Sequence, residues 1–182
     1  MKLHELLSQQ KAAIIKKWFD SVLRTYPEDS SRFMGKKGDP FTNPVGHTIR
    51  RGLEGVFDEL LGELDYDKVS PFLDEIIRVR AVQDFTPSQA VSFIFSLKSL
   101  IREELARNRA EVSLEELLAF ESKIDRLALF SFDIFVICRE KLYEIKANEL
   151  KNMTFRLLQR VNAMDEDKGG NPESSSGNND NA

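Results

Sequence analysis

Apolar residues recur at helical spacing through most of the chain, and no stretch alternates with the period of a strand. Leu3, Leu6, Leu7, Ile14, Ile15, Trp18, Val22 and Tyr26 predict a helix over 3–26, closed by Pro27. The stretch E-D-S-S-R-F-M has the length of a short further turn, and G-K-K-G-D-P-F-T reads as a loop. A second helix is expected from Asn43-Pro44, a cap followed by proline at the first helical position, to Gly62. A third covers about 67–84. The fourth opens on Thr86-Pro87-Ser88-Gln89, a capping box, and runs to about Arg107. The fifth opens on Ser113-Leu114-Glu115-Glu116, a second box, and no glycine or proline follows until Gly169. The expected fold class is all-α, with about five main helices in a bundle or globin-like packing and a long C-terminal helix.

That last helix reaches about fifty residues, roughly 75 Å at 1.5 Å per residue, longer than a compact domain of this size needs. Between 127 and 138, Leu127, Phe130, Phe132, Ile134, Phe135, Val136 and Ile137 cover every side of the helix. A helix apolar all round is expected to be buried all round, by the other helices or by a second subunit, and a homodimer is the favoured reading. Beyond Arg139 the pattern thins to Leu142, Ile145, Leu150, Met153, Leu157 and Val161. This stripe predicts a helix that pairs with a second copy or a protein partner; the alternative is a bend or stop near Lys146. The divisions expected are a helical domain over 1–145, an extension of the last helix over 146–163 and a disordered acidic tail over 164–182.

Charge sharpens this division. Residues 164–182 carry five acids and one base, which accounts for the whole formal net charge of −4. The remainder is balanced, which argues against a nucleic-acid partner, since such a partner needs a basic footprint. A lone cysteine, Cys138, excludes an internal disulfide framework. The N-terminus lacks an apolar signal core, and the 127–138 run is too short to span a bilayer and contains Asp133. A cytoplasmic protein without a membrane span is expected.

Candidate chemistry is sparse. No phosphate loop, nucleophile elbow or metal-ligand spacing occurs, and the acid pairs Glu103-Glu104 and Glu115-Glu116 fall on an exposed face or at a helix start. His47 points about 140° away from the apolar centre of its own helix on the wheel, which argues against a haem or metal ligand. No catalytic residue, metal or cofactor is expected, and the chain reads as a non-enzyme.

One polar cluster stands out. In R-V-R-A-V-Q-D-F, the wheel of the third helix puts Arg80 near the centre of the face made by Val69, Phe72, Leu73, Ile76, Ile77 and Val79. Gln83 and Asp84 flank it, whereas Arg78 points to solvent. An inward guanidinium must find partners, because an isolated buried charge costs several kcal/mol. The simpler solution is structural: Asp84 at i+4, with helix-end or loop carbonyls taking the other donors. The functional solution is a small cavity where Arg80, Gln83 and Lys98, the last within the apolar arc of the fourth helix, meet a polar or anionic ligand.

Two stretches carry a family resemblance. D-P-F-T-N-P-V-G (39–46) and R-V-R-A-V-Q-D-F-T-P-S-Q-A (78–90), with Trp18, T-Y-P at 25–27 and F-x-x-x-L-K at 93–98, resemble the N-terminal domain of RsbRD-type RsbT co-antagonists. The resemblance covers about residues 1–145. It implies an all-helical regulatory domain related to the haem-free globin-like sensor heads of the stressosome, and no catalysis. Full-length co-antagonists carry a C-terminal STAS domain that binds the kinase RsbT, and this chain shows instead a helix and an acidic tail. The expected function is therefore a bacterial sensory or regulatory module reporting through its last helix to a partner. The alternative is an adaptor or assembly subunit with no small ligand.

Overall fold

The computed structural model describes residues 2–36, 41–83 and 85–169, with side chains through Met164. Seven helices and no strand occur among the described residues: α1 (Leu3–Gln9), α2 (Lys11–Leu23), α3 (Glu28–Met34), α4 (Pro44–Leu61), α5 (Tyr66–Val82), α6 (Pro87–Arg107) and α7 (Leu114–Gly169). The count exceeds five for two reasons. The expected first helix breaks at Gln10, whose φ of −95° and ψ of 6° leave the helical region. Leu7 and Ile14 lie two turns apart and keep one face across that kink, so the apolar spacing does not register it. The second reason is α3, which forms from the short turn expected after Pro27.

Caps place the helix starts. The Asn43 side chain accepts from Gly46 N at 3.0 Å and donates to Met34 O at 2.7 Å, so one buried amide caps α4 and ties it to the end of α3. At α6 both halves of the capping box close: Gln89 N donates to Thr86 Oγ1 at 3.3 Å, and Thr86 N donates to Gln89 Oε1 at 3.0 Å. The box expected at Ser113 only half forms. Ser113 Oγ accepts from Glu115 N, but Glu116 instead accepts from Leu3 N at 3.2 Å, an orphan donor at the start of α1. The end of α6 is a Schellman turn: Ala110 N donates to Leu105 O at 3.1 Å and Arg109 N to Ala106 O at 3.2 Å. Its left-handed position is held by Arg109, with φ 46°, where glycine is the usual residue.

The core is built on close helix contacts. α4 approaches α5 where Gly52 and Gly55 leave no side chain; a Cβ on Gly52 would stand 2.7 Å from Ile76 and 3.0 Å from the Phe72 carbonyl. Trp18 of α2, fully buried, donates its indole N–H to Phe93 O of α6 at 2.7 Å. Glu104, also fully buried, pairs with Lys17 of α2. Two bridges, Lys98 to Asp125 at 2.6 Å and Arg102 to Glu121 at 2.7 Å, step in opposite directions along α6 and α7 and fix these helices antiparallel.

The chain divides between Glu140 and Lys141 into two units. Within the first, the described helices of this chain do not bury 127–138 on every side. Leu127, Ser131, Ile134 and Phe135 face the core, but Leu129, Phe132 and Ile137 are 68%, 42% and 51% exposed. One face of α7 packs on the bundle, and no described helix of this chain covers the other. In the second unit, Leu150, Met153, Phe155, Leu157, Leu158 and Val161 are all more than half exposed. α7 continues through Lys146 and past Met164 to Gly169, with no glycine or proline in the sequence from Leu114 to Lys168 to interrupt it. The remainder of the expected tail lies outside the described residues. No helix among the described residues is long and apolar enough to cross a membrane.

Candidate functional site

Arg80 sits on the inner face of α5, where the helical wheel places it, and has no exposed surface. Its Nε donates to Ala90 O at 2.9 Å and its Nη2 to Gln89 O at 2.9 Å. Both carbonyls belong to the first turn of α6, which the Thr86–Gln89 box holds in place. Thr25 Oγ1, just past the end of α2, accepts from Nη1 and Nη2 at 3.2 Å each and donates onward to Val22 O at 2.6 Å. Three rings surround the cation: Phe85 at 4.2 Å, Tyr26 at 5.3 Å and Phe93 at 5.5 Å from ring centroid to guanidinium carbon. Gln83 ends α5 in an extended conformation, φ −87° and ψ 166°, and this turn carries Phe85 over the guanidinium.

Among the described residues, every hydrogen-bond partner of Arg80 is neutral. Among the described residues, no carboxylate lies within ion-pair distance of it. Burial pulls the guanidinium below its ordinary value, but Arg80 stays cationic at neutral pH. Burial also pushes the Tyr26 phenol up, with Arg80 pulling it partly back. The Tyr26 hydroxyl and Gln83 Oε1 are both buried and lack a hydrogen-bond partner among the described residues. Both residues line a cavity of about 450 Å³, together with Thr25, Pro27, Ser30, Phe85 and Gln89. Arg80 lies directly behind this wall.

Of the four residues singled out in the sequence, Arg80 and Gln83 share this site. Lys98 does not join them; it is drawn to Asp125 of α7. Asp84 lies outside the described residues. Arg78 is outward, as the wheel indicates, and pairs with Asp74 at 2.6 Å. His47 is exposed. The residues that sequence reasoning missed are Thr25, Tyr26, Phe85 and Gln89. Their only signals were the T-Y-P stretch, noted as a family marker, and the capping glutamine, noted for its role at the helix start.

The model of the family described as the RsbT co-antagonist protein RsbRD N-terminal domain matches residues 12–150. The chain belongs to this family. An uncharacterized protein of Archaeoglobus fulgidus is 22% identical over 154 residues, covering 81% of this chain and 89% of that one. No solved structure matches. In this RsbRD N-terminal domain, both marker stretches have structural work: Asn43 caps α4 against α3, and 78–90 builds the Arg80 site.

Proposed function

We propose that the protein is a non-enzymatic sensory and regulatory domain of stress signalling, located in the cytoplasm, that acts through the distal part of α7 on a protein partner and is itself a homodimer. The observation that carries this reading is the row of exposed apolar side chains from Leu150 to Val161, on a helix whose length exceeds what a single core uses. An isolated helix of that composition gains most of its stability from packing of its apolar face, so an uncovered face implies a covering chain. Family membership supplies the regulatory context, since the family is named for antagonism of a partner protein.

A photo-crosslinking residue placed at Leu157 in living cells tests this directly. Capture of a different chain at Leu157, with none at Glu59 on α4, supports signalling through α7. Capture of a second copy alone, with a dimer by light scattering, limits the helix to self-assembly. No adduct and a monomeric mass overturn the reading. An adaptor without a ligand is the alternative, and it is favoured where deleting 146–182 removes the partner and the purified chain binds no small molecule.

A further inference from the structure

The 450 Å³ cavity beside Arg80 has features that a structural clasp leaves unexplained. Among the described residues, the buried cation is met by two α6 carbonyls, a threonine hydroxyl and aromatic faces, which solvate it without neutralising it. A positive charge desolvated behind a thin wall projects its field into the adjoining space, because little water screens it there. Among the described residues, two oxygens on that wall, Tyr26 Oη and Gln83 Oε1, are buried with no hydrogen-bond partner of normal geometry, a state that costs about 1–3 kcal/mol per group when nothing else offsets it. Tyr26 as a whole is only 7% exposed. Its phenol stays protonated at neutral pH and is a donor. The Gln83 amide presents its NH₂ group when turned over. Apolar surface comes from Phe85, Pro27 and the Tyr26 ring. The volume falls within the roughly 300–1,000 Å³ typical of small-molecule sites.

We infer that this cavity binds a small organic monocarboxylate, its carboxylate hydrogen-bonded by Tyr26 and Gln83 and balanced by the Arg80 charge behind them, its apolar part against Phe85 and Pro27. A carboxylate suits the site better than a phosphate. Only one cation stands behind the wall, and a phosphate dianion calls for several charged donors or helix amides. This inference deepens the sensory reading by naming a class of signal. It is tested on the purified chain alone, so its failure leaves the α7 docking proposal standing.

The probe is sodium benzoate, titrated calorimetrically into the full chain against sodium chloride at matched ionic strength. Saturable one-to-one binding is expected, with inorganic phosphate giving none. Tyr26→Phe removes only the hydroxyl and is expected to weaken benzoate about tenfold, the effect of one lost hydrogen bond to a charged group, with an unchanged or higher Tm. Gln83→Leu removes the second donor, the side-chain amide N–H, independently and is expected to weaken benzoate similarly. No saturable binding by the wild-type chain overturns the inference. So does equal affinity in both variants, or displacement of benzoate by phosphate. Binding that appears only in Asp84→Asn also overturns it, because Asp84 would then already supply the counter-charge.

Discussion

Replacing Arg80 by methionine should cost far less stability than replacing it by alanine. The Arg80 bonds to Gln89 O and Ala90 O, each 2.9 Å, end on carbonyls inside α6 that also accept helical amides one turn on. Neither carbonyl is orphaned when the guanidinium leaves, and Thr25 keeps its bond to Val22 O. Methionine also removes a desolvated charge, and uncharged residues of similar volume commonly replace buried ionic groups with little loss. What remains is a partly filled space among Phe85, Tyr26 and Phe93, for which a cost of about 1–2 kcal/mol is expected. Alanine vacates the whole side chain from a site with no exposed surface, and about 3–5 kcal/mol follows from comparable truncations in cores. Urea unfolding followed by Trp18 emission measures both, since Trp18 is the single tryptophan, is fully buried and stacks 6.1 Å from Phe93. Equal losses in the two variants would refute the argument, as the bonds and not the packing would then carry the stability. An alanine variant within about 1 kcal/mol of wild type would refute the burial itself.

Other expectations follow from single contacts. Gly52→Ala should destabilise by about 1–3 kcal/mol despite the better helix propensity of alanine, because its Cβ meets buried Ile76 at 2.7 Å and the Phe72 carbonyl at 3.0 Å; thermal unfolding reads this. Arg109→Gly should stabilise by roughly 0.5–1 kcal/mol by relieving the left-handed backbone of the Schellman turn, and an unchanged Tm would contradict it. Tyr26 has a folded pKa raised above its ordinary 10.0, so the fold favours the protonated phenol. The unfolded chain then loses its proton first, and stability from this group is present below about pH 10 and declines above it. Tyr26→Phe should flatten that alkaline decline in a pH series of urea midpoints. Leu150→Lys with Leu157→Lys should abolish self-association or partner capture while leaving the helical circular dichroism of the 1–140 bundle in place, since both side chains are exposed and outside its core.

Local signals were enough for most of the helical outline. Proline and cap residues placed the starts of α4 and α6, and the gap without glycine or proline foretold the length of α7, because these effects act within a turn or two of the residue. The helical wheel also turned Arg80 inward and Arg78 outward, since each orientation depends on one helix alone. The tertiary structure decided everything that depended on chain segments meeting from afar. Thr25 reaches Arg80 across 55 positions, and Glu116 leaves its own cap for Leu3 across 113. Lys98 had the right face to join Arg80, yet the antiparallel register of α6 and α7 gave it Asp125 instead. The 127–138 helix shows the same limit: its composition set how much surface wants burial, but the helices packed against it in this chain cover only one side. A helix face is written in its own sequence, and what lies against that face is written elsewhere in the chain.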